Sequence, residues 1–179
     1  MVGTIYDPLK YAQMEEERRF LLQELPVDLD IDAFSRIVDH YLPGTRLRLR
    51  RIESSDEKVL VYKFGQKYRA ARQGAHQTMM TNIYLDEVEY KTLARLGGAQ
   101  LVKRRYRYLH ARLQYSIDVF EGSLSGLILA EIEGQSSMEI AKLPIPSFAV
   151  REVTNDLKFT GGVLAELSGE EFQRWRDVW

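Results

Sequence analysis

The sequence has no cysteine, which excludes disulfides and thiolate metal sites and gives no sign of an oxidising compartment. It has no apolar run near the ~20 residues that span a bilayer, and residues 1–13 hold no apolar core of the signal-peptide kind. It has almost no net charge: 25 Lys+Arg against 26 Asp+Glu leave −1, which removes the usual reason for non-specific nucleic-acid binding. The G-x-x-x-x-G-K-[ST] phosphate loop, the G-x-G-x-x-G fingerprint and the G-x-S-x-G nucleophile elbow are all missing. His40, His76 and His110 are far apart and form no H-E-x-x-H, which argues against zinc catalysis; His76 falls in a polar loop and is expected to be solvated. These absences describe a cytoplasmic protein with no membrane or nucleic-acid partner.

What is present fits one globular domain over 1–179, at 45% hydrophobic and 28% charged residues. A lead-in is expected over 1–12, then a strand from Gln13 to Gln23, ended by Pro26. Asp30 to Phe34 is a candidate short helix with Asp30 as N-cap, and Ile37 to Leu42 a strand before the Pro43-Gly44 turn. Thr45–Ile52 alternates Arg with Leu and pairs, across Ser54-Ser55-Asp56, with Lys58–Phe64 as a hairpin. Residues 69–77 read as a loop and Thr78–Leu85 as a strand. Asp86–Leu96 reads as a helix capped by Asp86 and stopped by Gly97-Gly98. Gln100–Leu109 and Gln114–Phe120 form a second hairpin, and Leu127–Glu133 a strand ending in acid. A short helix over Ser136–Lys142, a short strand over Val150–Thr154 and a C-terminal helix over 168–179 complete the chain. Ser168 and Glu171 stand at capping-box spacing in that last helix. Its Phe172, Trp175, Val178 and Trp179 can share an apolar face, and Trp175 and Trp179 either cover the barrel or meet a second subunit, so a homodimer stays open. The sum is an α+β fold built on an eight-stranded antiparallel β-barrel with flanking helices.

The charges on these strands alternate. Side chains point to opposite faces with period two, so Glu15, Glu17 and Arg19 share one face of their strand. Arg46, Arg48 and Arg50 do the same, as do Lys103, Arg105 and Arg107. Any one of these alone describes a solvated outer face. Glu131 and Glu133 differ, because they continue the parity of Leu127 and Leu129, while Ile128, Ala130 and Ile132 fill the other face. Several strands each presenting charge on one side suggest the inside of a closed sheet. The paired carboxylates Glu15/Glu17 and Glu131/Glu133 offer hard oxygen ligands for Mg²⁺ or Mn²⁺. Arg48, Arg50, Lys63, Lys103 and Arg105 can neutralise a polyanion, with Arg as a planar fork and Lys as a compact charge. Together they suit a metal–polyphosphate complex.

The set of motifs resembles the CYTH superfamily, the triphosphate tunnel metalloenzymes. Glu15, Glu17 and Arg19, followed by Phe20-Leu21, resemble its E-x-E-x-K opening, with Arg in place of Lys. Ile37–Leu42, Arg48 and Arg50, Lys63, Lys103-Arg104-Arg105-Tyr106, Ile117–Gly122, Gly126–Glu133 and Glu152–Asp156 follow in the family's order, and the match runs from about Glu15 to Leu164. The resemblance implies an eight-stranded tunnel, Mg²⁺ or Mn²⁺ as cofactor, and hydrolysis of inorganic tripolyphosphate or an organic triphosphate. The alternatives are cyclisation of ATP to cyclic AMP and non-catalytic polyphosphate binding. It implies Glu15, Glu17, Glu131 and Glu133 as metal ligands and Arg19, Arg48, Arg50, Lys63, Lys103 and Arg105 as phosphate binders. Tyr41 with Lys103 would orient or deprotonate the attacking water. The family's alternating acids have no match in Thr78–Leu85, which offers Met79, Thr81 and Ile83 instead.

Overall fold

The computed structural model describes residues 9–68, 77–134 and 140–177. Outside them lie most of the expected lead-in, nearly all of the 69–77 loop with His76, residues 136–139 of the expected 136–142 helix, and Val178 and Trp179. The strands are β1 (Gln13–Leu22), β2 (Phe34–Tyr41), β3 (Leu47–Ser54), β4 (Val59–Tyr68), β5 (Gln77–Leu85), β6 (Ala99–His110), β7 (Leu113–Phe120), β8 (Ile128–Gly134) and the two-residue β9 (Arg151–Glu152). The helices used below are α1 (Glu87–Ala94), α2 (Gly161–Glu166) and α3 (Gly169–Arg176), with single 3₁₀ turns at Gly122–Leu124 and Leu157–Phe159.

Closure depends on β1. Along one edge it pairs with β8, with Glu17 opposite Glu133 and Arg19 opposite Glu131. Along the other, its first half pairs with β5, with Glu15 opposite Thr78, and its second half with β9, with Phe20 opposite Glu152. The eight strands β1–β8 thereby form a closed antiparallel barrel in the order β1-β5-β4-β3-β2-β6-β7-β8. Closure removes every sheet edge and gives each strand one inner and one outer face. No described helix is long and apolar enough to cross a membrane.

Two apolar clusters fix what is inside and what is outside. Phe20, Leu22, Tyr106, Tyr108, Tyr115, Ile117, Ala130 and Ile132 pack on the outer face, where Leu25, Leu29, Leu143 and Phe148 cover them. The other cluster plugs one end of the barrel. Leu21, Leu101, Phe120 and Leu129 have inward parity there and meet Val153, Phe159, Leu164 and Phe172. The plug is built by α2 and α3. In α3 the Ser168 hydroxyl accepts from Glu171 N–H and the Glu171 carboxylate reaches back to Ser168 N–H. That pins a helix whose Phe172 is fully buried and whose Trp175 packs on Phe159 at 4.8 Å between ring centroids. Trp175 thus covers the barrel end. The same capping box, from Asp86 and Glu89, starts α1.

Two sequence expectations change. No helix forms at Asp30–Phe34: the Asp30 carboxylate accepts from Asp32 N–H at 3.1 Å, a turn of the Asx kind, and Phe34 already begins β2. The α2 helix was not among the sequence expectations, and it begins at Gly161-Gly162. Glycine is needed there for space: a Cβ on Gly161 would overlap the Tyr41 hydroxyl and come 2.8 Å from its ring carbon Cζ. Gly161→Ala should therefore lower stability by about 1–3 kcal/mol through overpacking of the plug, read as a lower midpoint in urea unfolding.

Candidate active site

The inner face of the barrel encloses a cavity of about 860 Å³, in the size range of small-ligand pockets. Glu15, Glu17, Arg19, Arg48, Arg50, Lys63, Lys103, Arg105, Glu131, Glu133 and Tyr41 all line it. The alternation on each strand is thus an inner-face pattern, and cross-strand register stacks it: Tyr41 lies opposite Arg48, Asp39 opposite Arg50, Arg50 opposite Lys63, and Arg105 opposite Asp118.

On the acidic side, Glu17, Glu131 and Glu133 each place a carboxylate oxygen within 4.8 Å of the others. Burial and then the neighbouring Glu131 raise the Glu133 pKa. Burial would raise Glu131 as well, but Arg105 and Lys103 hold it well below the ordinary carboxylate range. Two of these acids are held in place: Glu17 faces Lys67 Nζ at 3.1 Å and Arg19 Nη2 at 3.4 Å, and Glu131 accepts from Arg105. An oxygen-only cluster with residual like-charge repulsion fits a hard divalent cation, which these three residues could hold. Glu15 lines the same wall but is not in that group of three.

On the basic side most charges already have partners. Asp118, fully buried, accepts from Arg105 Nε and Nη2, each at 2.6 Å, and from Lys103 Nζ. Arg19 Nη1 donates to the Phe159 carbonyl at 2.6 Å, tying the metal-side wall to the plug. Burial and the adjacent Arg105 lower the Lys103 pKa, against the pull of Asp118. Burial and then Asp39 raise the Tyr41 pKa. Tyr41 therefore keeps its proton at neutral pH and is available there as a hydrogen-bond donor.

Asp39 and Lys67 were not singled out from the sequence, and Arg107 and Asp118, in charged and family-like segments, were given no role there. Parity could have found them: Asp39 lies between Ile37 and Tyr41 on their face, and Lys67 shares the face of Lys63. For β5 the expected parity is reversed. Thr78, Met80 and Asn82 face inward, opposite Glu15, Lys67 and Gly65, so Met79, Thr81 and Ile83 are not the inner positions. Neither face of this strand carries a carboxylate.

Asp39 is 1% exposed, and burial alone would raise its pKa, but Arg50 and Arg48 hold it down at about 2. A carboxyl depressed in the folded state from its ordinary 3.8 stabilises the fold above pH ~4 and loses that contribution as pH falls toward 2. Asp39→Asn should cost about 2 kcal/mol in urea unfolding at pH 7, and the gap from wild type should close between pH 4 and pH 2.

No protein-family model and no curated protein matches the sequence. Solved structures do. A structure of the hypothetical protein NE1496 is 25% identical, covers 86% of this chain and 99% of its own, and superposes with a TM-score of 0.59. A structure of NE1496 described as an inorganic triphosphatase is 24% identical over 84% of this chain and 93% of its own, with a TM-score of 0.57. A Bacillus halodurans protein assigned provisionally as an adenylate cyclase is 17% identical over 73% and 86%, with a TM-score of 0.50. With its closed eight-stranded barrel and inward-facing charges, the chain has the tunnel fold of the CYTH superfamily.

Proposed function

We propose that the protein is a metal-dependent triphosphatase, with inorganic tripolyphosphate slightly ahead of nucleoside triphosphates as substrate. One observation carries this reading: a single chamber, closed at one end by the plug, sets the carboxylates of Glu17, Glu131 and Glu133 beside a wall of Arg and Lys. A bound Mg²⁺ or Mn²⁺ would neutralise phosphate charge and polarise the reacting group. Glu17, Glu131 and Glu133 would hold it, with Glu15 at the rim of the same wall. Arg48 and Lys63 would hold phosphate oxygens, and Arg19, Lys103 and Arg105, already paired inside the chamber, would complete the basic lining. The reaction is attack of water on the terminal phosphorus, with the remaining diphosphate as leaving group. Tyr41 and Lys103 border the closed end and would orient that water by donating hydrogen bonds.

A binding protein without turnover is the second reading. It is favoured by β5, where Thr78, Met80 and Asn82 bring no carboxylate to the chamber.

Phosphate release from tripolyphosphate, ATP and thiamine triphosphate, with Mg²⁺ or Mn²⁺, tests the proposal. Release is expected with at least one of them, and cyclic AMP is expected to be absent from the ATP reaction. Glu131→Gln and Glu133→Gln should each lower turnover by 100-fold or more, on the order seen when charge stabilisation is removed from an active site, while the far-ultraviolet circular dichroism is unchanged. Arg48→Ala should weaken tripolyphosphate binding about tenfold. Binding without any release would leave the second reading, and absence of both would sink the triphosphate assignment.

A further inference from the structure

Asp39 lies at the centre of the basic wall without lining the cavity itself. Arg50 Nε donates to its Oδ1 at 2.6 Å and Arg50 Nη2 to its Oδ2 at 2.7 Å, so the carboxylate fills the guanidinium fork in the bidentate geometry that a phosphate would use. Its neighbours in the wall are not filled in this way. Arg48 Nε stands 3.8 Å from Asp39 Oδ1, beyond hydrogen-bond distance, and is buried with no hydrogen-bond partner. Lys63, opposite Arg50 across β4, rests over the Tyr84 ring at 5.1 Å. Arg105 is also held in a bidentate way, by Asp118, but it reaches Glu131 and so belongs to the acidic side of the chamber. The wall thus presents Arg48, two residues along β3, and Lys63, alongside on β4, next to a guanidinium whose charge is already matched, with Arg48 only loosely paired to the same carboxylate.

We propose that Asp39 is a specificity-determining residue, the fixed counter-ion of Arg50, which removes one charge from the phosphate-facing wall and limits the preference for the most highly charged polyphosphates. The proposal rests on the reading of the chamber as a triphosphate site. A carboxylate buried in a poorly polarisable wall repels an incoming anion, and the repulsion grows with the anion's charge. Inorganic tripolyphosphate, with both ends free to ionise, is penalised more than ATP, one end of which is esterified. A role confined to holding Arg50 in place would act in the opposite direction, because loss of Asp39 would then loosen the wall and weaken binding.

Calorimetric titration of inorganic tripolyphosphate and of ATP, in chelator to exclude metals, separates these cases. Asp39→Asn is expected to bind tripolyphosphate about tenfold more tightly than wild type, with a smaller gain for ATP. The double variant Asp39→Asn/Arg50→Gln replaces the ion pair with neutral amides of similar size and restores the wall's charge balance, so it is expected to bind both within about threefold of wild type. It serves also if the single variant fails to fold. Unchanged or weaker tripolyphosphate binding by Asp39→Asn, or a tenfold loss in the double variant, overturns the role of Asp39 while leaving the triphosphate site standing. No binding of either compound by the wild-type protein, both in chelator and with Mg²⁺ present, overturns both.

Discussion

The whole structure depends on charge compensation inside a closed barrel. Eight strands joined edge to edge give one inner face, and that face here is crowded with ionisable side chains. Buried charges are tolerated only when paired and hydrogen-bonded, because desolvation otherwise outweighs any local attraction. The interior meets that condition by chains of alternating sign. Lys103, Asp118, Arg105 and Glu131 form one. Lys67, Glu17 and Arg19 form another. Asp39 with Arg50 forms a third. Register sets Arg50 opposite Asp39 and Arg105 opposite Asp118, while Lys67–Glu17 and Arg105–Glu131 join strands that are not neighbours, which only the shared inner face of a closed sheet allows.

Compensation is uneven, and the imbalance has chemical meaning. Glu133 keeps an upward-shifted pKa next to Glu131, and Arg48 keeps a buried Nε without a hydrogen-bond partner. The first is an acidic site short of a cation, and in the second Arg48 and Arg50 share the single Asp39 carboxylate, at 3.8 and 2.6 Å. Sites in which structural pairing stops short of neutrality are where ligand charge is most strongly felt. The plug gives this imbalance a direction. Phe159, Leu164 and Phe172 close one end with apolar bulk, and Arg19 links that end to Glu17 through the Phe159 carbonyl. Packing energy in the plug and geometry at the carboxylates are therefore joined through a single guanidinium.

Much of this architecture is legible from local pattern. The Arg-Leu alternation of β3, the acid-for-apolar substitution along β8, the Asp86 cap of α1 and the capping box of α3 each depend on contacts between near neighbours, and each appears in the structure as expected. What lay beyond reach depended on distant contacts. That Gly161 must lack a side chain follows only from Tyr41, far off in sequence, whose ring lies against that helix start. The inner face of β5 could not be assigned, since its residues are polar or apolar on both sides and a shift of one residue exchanges the faces; its pairing with Glu15 and Lys67 decides the matter.

By itself the sequence determined the strands, their charge alternation and the composition of an acidic and a basic set, because period-two patterning and turn chemistry are local. Only the tertiary structure decided which charges neutralise one another, that Asp39 and Asp118 are central to the interior, and that the chamber has a closed end. Those outcomes follow from closing the sheet, which brings β1 against both β5 and β8 and turns separate charged faces into one shared volume.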